Sequence, residues 1–85
     1  MFAVLNDMYA LDLSLLQGLI LARLNETESA RGTDLARDLG VTDPAISRSV
    51  GRLVELKFVD TTRDAIDRRA VHYTLTNRAR TRFFR

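Results

Sequence analysis

The chain has 85 residues, which suits one domain with a modest core, because a domain this small buries only about 60% of the surface that its unfolded chain exposes. Hydrophobic residues make up 46% and charged residues 28%, as in globular domains, and no apolar run approaches the ~20 residues of a membrane span. Cysteine is absent, which excludes disulfides and thiolate metal sites. Residues 1–12 carry two acids and no base, unlike a secretory signal peptide, so we expect a cytoplasmic protein.

The predicted elements begin with two helices. Residues 2–10 form a short apolar stripe at helical spacing. Asp12 is then predicted to be the N-cap of a helix over 13–24, whose leucines and Ile20 form a wide apolar face. The polar stretch 25–32 is predicted to be a loop.

A second pair of short helices follows. Thr33 is predicted to cap a helix over 34–39, and Gly40 is expected to end that helix in a left-handed conformation. Thr42 is predicted to cap the next helix, which runs to about Leu56 with Asp43 and Pro44 in its first turn. Two short helices joined by a glycine-containing turn are typical of a helix-turn-helix.

The C-terminal third alternates as strands do. Residues 58–63 and 70–75 are predicted strands, and the charged segment 64–69 between them suits a hairpin tip. Thr76 is predicted to cap a last helix over 77–84. The order helix, helix, helix, strand, strand, helix predicts a mainly α fold with a small β-hairpin, a winged helix-turn-helix, as a single domain over residues 1–85.

Charge is divided unevenly along the chain, although the net charge is only +2. Residues 1–45 hold three arginines against seven acids, and residues 46–85 hold ten basic residues against four acids. Twelve of the thirteen basic residues are arginine, whose planar guanidinium pairs with phosphate and with guanine. The asymmetry suits a polyanionic partner, and a well-solvated surface explains the charge alone equally well.

Two stretches of the sequence resemble the DNA-binding part of MarR-type regulators. They are TDLARDLGVTDPAISRSVGRLVELKFV at 33–59 and RDAIDRRAVHYTLTNRAR at 63–80. The most specific feature is the DRRA…LT pattern at 67–70 and 75–76, at the spacing that this family shows between wing tip and final helix. The resemblance extends over residues 13–83.

The resemblance implies a recognition helix at 43–57 in the major groove of DNA and a wing at 63–75 in the adjacent minor groove. It places four residues at groove-facing positions of the helix: Asp43, Pro44, Ser47 and Arg48. Arg69 matches the wing arginine of the family, and Asp67 matches the acid that holds this arginine in place. Lys57 stands where the family usually has a glycine, and no equivalent of the family's effector pocket is apparent.

The candidate DNA-binding residues have open alternatives. Arg48 suits either a bidentate guanine contact or a phosphate, and Asp43 suits a cytosine amine less well than the positive end of its own helix. Thr33 and Thr42, as caps, place backbone amides near the DNA backbone. The full predicted set is Thr33, Thr42, Asp43, Pro44, Ser47, Arg48, Arg52, Arg63, Asp67, Arg68 and Arg69.

The termini suggest a homodimer. Segments 1–10 and 77–85 are possible dimerisation segments, although they are shorter than the terminal helices of the family. Two adjacent phenylalanines do not both fit a small core easily, so we expect an apolar self-association surface made of Phe2, Leu5, Tyr9, Phe83 and Phe84. The alternative is a terminal helix folded back on its own domain.

The sequence therefore predicts a DNA-binding transcriptional regulator that represses by occupying duplex DNA. The alternatives are an accessory protein of replication, partition or conjugation, and a winged helix that binds other proteins. An enzyme is not expected, because the chain has one histidine, His72, and none of the motifs of metal or nucleophilic catalysis. No cofactor and no metal are expected.

Overall fold

The computed structural model describes residues 9–84, which form four helices and a three-stranded antiparallel sheet. The predicted winged helix-turn-helix is confirmed, and its sheet has one strand more than the predicted hairpin. The elements in chain order are α1 (Leu15–Glu26), β1 (Ala30–Arg31), α2 (Gly32–Leu39), α3 (Asp43–Glu55), β2 (Val59–Arg63), β3 (Val71–Leu75) and α4 (Asn77–Phe83). The sheet order is β1-β3-β2. Of the helix predicted over 2–10, only residues 9 and 10 are described, and both are helical. Among the described residues, none of the helices combines the length and the hydropathy that a membrane-spanning segment needs.

Helix α1 starts later than predicted. Its N-cap is Ser14, so the prediction of Asp12 was wrong. The Ser14 hydroxyl accepts from the backbone N–H of Gln17 at 3.1 Å, and the Gln17 side-chain oxygen accepts from the Ser14 N–H at 2.7 Å. This reciprocal capping box satisfies two helix-end donors, whereas Asp12 lies in the preceding turn with a left-handed φ of 57°.

The stretch predicted as a loop contains a strand. Ala30 and Arg31 pair with Tyr73 and His72 and so form a short third strand, which holds the backbone extended up to the start of α2. Helix α2 therefore begins at Gly32, with Arg31 as an N-cap that makes no side-chain cap bond. Thr33 lies inside the first turn, and the prediction that it caps this helix was wrong.

Helix α3 is bounded as predicted. Gly40 ends α2 with a left-handed φ of 69°, and the Thr42 hydroxyl accepts from the Ala45 N–H at 3.3 Å as the N-cap of α3. Pro44 lies in the first turn, where a missing N–H breaks no helical bond. After the helix, Lys57 has a φ of 67°, the left-handed conformation that glycine adopts more readily.

Strands β2 and β3 form the predicted hairpin, with Val59 opposite Leu75 and Arg63 opposite Val71. Thr76 caps α4 as predicted, and its hydroxyl also donates to the Lys57 carbonyl at 2.8 Å. This bond joins the start of α4 to the end of the helix-turn-helix.

The core lies between the helices and one face of the sheet. Phe83 of α4 is only 5% exposed and packs edge-on against Phe58, with ring centroids 4.9 Å apart. The prediction that Phe83 contributes to a self-association surface was therefore wrong, because α4 folds back on its own domain. Tyr9 is 90% exposed, and Phe2 and Leu5 lie outside the described residues.

Candidate nucleic-acid interface

The orientation of α3 is set by hydrophobic burial. Ile46, Val50 and Leu53 lie in the core at the three-to-four spacing of a helix. The opposite face is therefore exposed along its whole length, and it carries Pro44, Ser47, Arg48, Gly51, Arg52 and Glu55. Most of the predicted major-groove residues share this face.

Arg48 and Arg52 follow one another on that face, one helical turn apart. Neither side chain makes a hydrogen bond or an ion pair within residues 9–84. By contrast, Arg23 of α1 pairs with Asp38 at 3.1 Å, and Arg37 of α2 pairs with Asp34 at 2.7 Å. The guanidinium groups of α3 are thus available to an external anion.

The hairpin tip, residues 64–70, carries the other predicted arginines. Arg63 Nη1 donates to the Arg68 carbonyl at 2.9 Å, so this guanidinium ties the end of β2 to the backbone of the tip. The Arg68 side chain is exposed and has no polar partner in the described part of the chain. Of these two arginines, the structure holds one against the hairpin and leaves one open.

The predicted pair of Asp67 and Arg69 is present. The Asp67 carboxylate accepts from the Arg69 N–H at 3.1 Å and lies 3.7 Å from Arg69 Nε. The Arg69 side chain is nevertheless 96% exposed. Asp67 therefore restrains the backbone N–H and Nε of Arg69 and leaves the end of the guanidinium accessible.

The first turn of α3 and the hairpin tip border one open cleft of about 320 Å³. Asp43 and Ser47 line it from α3, Thr33 lines it from α2, and Asp67 and Arg69 line it from the hairpin. Residues predicted from two separate parts of the sequence therefore lie around a single concave surface, with Arg48, Arg52 and Arg68 on the elements beside it.

The prediction from sequence missed a polar cluster at the base of the tip. Asp64 Oδ2 lies 3.2 Å from His72 Nε2 and 3.7 Å from Arg31 Nη2. Asp64 Oδ1 accepts from the N–H groups of Ile66 at 2.8 Å and Asp67 at 3.1 Å. These backbone bonds, first that of Asp67 and then that of Ile66, together with the His72 bond, lower the pKa of Asp64 from 3.8 to about 2.

Gln17 was also missed as an inter-helix contact. Its side chain is buried, and its Nε2 donates to the Ser49 carbonyl at 3.3 Å, which ties the first turn of α1 to the middle of α3. No set of three histidine, aspartate or glutamate side chains in the described residues is arranged to hold a metal ion.

A family model matches residues 11–70, and its description is the MarR family. The chain belongs to the MarR family. The transcriptional regulator AdcR of Streptococcus pneumoniae is 38% identical over 61 residues, which cover 72% of this chain and 41% of AdcR.

Solved structures extend the similarity to most of this MarR-family chain. The transcriptional regulator BldR of Sulfolobus solfataricus is 32% identical with a TM-score of 0.78, covering 87% of this chain and 52% of its own. The YusO protein of Bacillus subtilis has a TM-score of 0.84 at 24% identity, covering 94% of this chain and 57% of its own, and this likeness supports the fold alone. The chain thus spans between about two fifths and three fifths of the relatives it matches.

Proposed function

We propose that this MarR-family chain binds duplex DNA as a sequence-specific transcriptional regulator, acting as a repressor by occupancy. Helix α3 lies in the major groove and the wing, Arg63–Leu75, reaches the adjacent minor groove. The proposed location is the cytoplasm, since DNA is the proposed partner.

The observation that carries the proposal is the shared cleft. Asp43 and Ser47 of α3 face Asp67 and Arg69 of the wing across it, so one ligand surface meets both elements. Arg48, Arg52 and Arg68 add positive charge on the two elements that border the cleft, and none of their side chains has a polar partner within residues 9–84. A double helix offers phosphates along both groove edges, which matches cations presented on two adjacent elements.

The relatives support the regulatory part of the proposal. The similar proteins include transcriptional regulators, AdcR and BldR, and a structure of the adhesin competence repressor of Streptococcus pyogenes, 27% identical with a TM-score of 0.76. Because the chain spans only part of each relative, regulation and repression are proposed here from the family and the cleft together.

We also propose that the chain acts as a homodimer, so that two α3 helices enter major grooves about 34–36 Å apart along the DNA. Tyr9 and Leu15, both strongly exposed, lie near one end of α1 and are available for such a contact, whereas Phe83 is not. Sedimentation at micromolar concentration tests the dimer, and a strict monomer, alone and on DNA, would remove it.

A mobility-shift titration with a random-sequence duplex at several salt concentrations tests DNA binding itself. Affinity should fall linearly on a double-logarithmic salt plot, because each phosphate contact releases counterions. Arg52→Ala should reduce the slope by about 1 if Arg52 binds one phosphate. Arg23→Ala removes the same charge from α1, outside the cleft, and should leave the slope unchanged; equal slopes for all three proteins would argue against a phosphate contact at Arg52.

Selection of bound sequences from random duplex DNA then tests specificity. The selected consensus should be symmetric if the protein binds as a dimer. Arg48→Ala should lose about 1–3 kcal/mol on that consensus and relax its preference at one base pair in each half-site. A uniform loss across all sequences would assign Arg48 to phosphate instead of a base.

A further inference from the structure

We propose that Asp64 is the positioning residue of the wing: its carboxylate holds the hairpin tip against the helix-turn-helix, so that Arg69 is presented at the cleft. This inference rests on the proposed DNA-binding function, because it assigns Asp64 a role in that same interface.

The two oxygens of Asp64 act on different parts of the molecule. Oδ1 accepts from the N–H groups of Ile66 and Asp67, and this Asx turn fixes the backbone of the tip. Oδ2 faces His72 of β3 at 3.2 Å and Arg31 at 3.7 Å. One side chain therefore joins the tip to residues outside it.

Arg31 is the contact that reaches the helix-turn-helix. It is the N-cap of α2 and the last residue of β1, and it also borders the cleft. The link from Asp64 to Arg31 therefore runs from the wing to the start of the helix that precedes α3. Strands β2 and β3 carry the tip, and the tip itself contributes no buried residue, so we expect this link to fix the orientation of the tip relative to α3.

Hydrophobic burial does not hold the tip in place. Ile66, the one large apolar side chain of the tip, is 97% exposed. Two backbone bonds, from the Asp64 N–H to the Ala70 carbonyl at 3.0 Å and from the Ala70 N–H to the Asp67 carbonyl at 2.9 Å, lie within the tip. The other side-chain contacts of the tip are local too, since Arg63 reaches the Arg68 carbonyl and Asp67 reaches Arg69. The Asp64 to Asp67 bond connects both sets: it holds the backbone of the residue whose side chain restrains Arg69.

If Asp64 acted through its charge alone, its removal would change DNA affinity in the direction opposite to the one we propose. Asp64 is an acid beside a surface meant for a polyanion, so its removal should strengthen DNA binding if charge were its only effect. A positioning role predicts weaker binding instead. Asp60 on β2 provides the matched control, because it is exposed, belongs to the same hairpin and its side chain has no polar partner in the described part of the chain.

Three variants separate these effects. Asp64→Ala removes the turn and the charged link, Asp64→Asn keeps an oxygen for the two tip N–H groups but loses the charge, and Asp60→Ala removes one acid only. Equal melting temperatures within the set would show that the fold is intact. The readouts are DNA affinity and, in DNA-free protein, the ¹⁵N order parameters at Ile66 and Asp67.

We expect Asp64→Ala to lower the affinity for the selected duplex by about tenfold, corresponding to ~1.4 kcal/mol, while Asp60→Ala binds as well as the unchanged protein or better. The order parameters of the tip should fall from about 0.85 to below ~0.6 in Asp64→Ala and stay high in Asp64→Asn. Arg69→Ala should weaken binding in the unchanged protein and have less than about half that effect in free-energy terms in the Asp64→Ala background, because the arginine is then no longer positioned.

Two results would overturn the inference. One is an Asp64→Ala variant with an ordered tip or with undiminished affinity, and the other is an Arg69→Ala effect of the same size in both backgrounds. The DNA-free order parameters keep this test separate from the proposed function. If the unchanged protein binds no duplex, the function fails, whereas the hold of Asp64 on the tip is still decided by relaxation.

Discussion

Helix α3 and the wing border the same cleft, but different forces hold them in place. Ile46, Val50 and Leu53 anchor α3 by burial, so its exposed face follows from the core. The wing tip buries nothing and relies on hydrogen bonds of Asp64, Asp67 and Arg63. The helix is therefore as stable as the fold, whereas the position of the wing tip depends on a few polar contacts. Mutations should separate these two cases.

The largest contrast is expected between two apolar truncations. Leu53→Ala should lower the free energy of unfolding by about 2–5 kcal/mol, because it leaves a cavity beneath α3. Ile66→Ala at the wing tip should change it by less than about 0.5 kcal/mol. Urea denaturation at one fixed protein concentration measures both; similar losses would mean that the wing tip is buried in solution.

The N-terminal cap of α3 gives a smaller effect on the same helix. Thr42→Ala removes the bond to the Ala45 N–H and should lower the free energy of unfolding by about 1 kcal/mol. Thr42→Ser keeps the hydroxyl and should retain most of that stability. If serine is as destabilising as alanine, the hydroxyl bond is not what stabilises the helix start.

A substitution just after the C-terminal end of α3 should stabilise the protein. Lys57 has a φ of 67°, and glycine adopts that conformation without a Cβ clash, so Lys57→Gly should raise the free energy of unfolding by about 1 kcal/mol. Lys57→Ala removes the charge but keeps the Cβ and should give no such gain. An equal gain from alanine would assign the effect to charge.

Acid should affect the wing locally. The pKa of Asp64 is lowered from 3.8 to about 2. The stabilisation of the wing tip by the ionised Asp64 carboxylate is therefore complete above pH 3.8 and is lost as the pH falls through about 2. The NMR shifts of the Ile66 and Asp67 amides should report a midpoint near 2, and Asp64→Asn should abolish it. A midpoint near 3.8 would show that these bonds do not form. Amides of α3 in the same spectra serve as the control for global unfolding.

The elements that were predicted correctly are those that local sequence signals determine. The turn glycine Gly40, the cap Thr42 and the early proline Pro44 mark α3 within a few residues, and the alternation at 70–75 marks the hairpin. These features act over one to four residues, so no tertiary information is needed. The exposed face of α3 then follows from the helical spacing of its apolar residues.

The errors concern competing or distant partners. Asp12 is a residue type that caps helices, but Ser14 and Gln17 carry the two halves of a capping box and form the actual cap. The two-residue strand β1 exists only because β3 pairs with it, and so neither β1 nor the contact of Arg31 with Asp64 has a local signal. The position of Phe83 depends on the space available beside Phe58 in the core, which the sequence alone does not reveal.

Strand β2 ends the sheet, since the order is β1-β3-β2, and its outer backbone groups have no neighbouring strand within residues 9–84. An open edge of this kind can recruit the edge of another molecule and start aggregation. In this chain the five-residue edge carries Asp60 and Arg63, and all but its first residue are exposed to water. A short edge with two charges is a poor template for a growing β-fibril, so we expect molecules crowded side by side to resist edge-to-edge association.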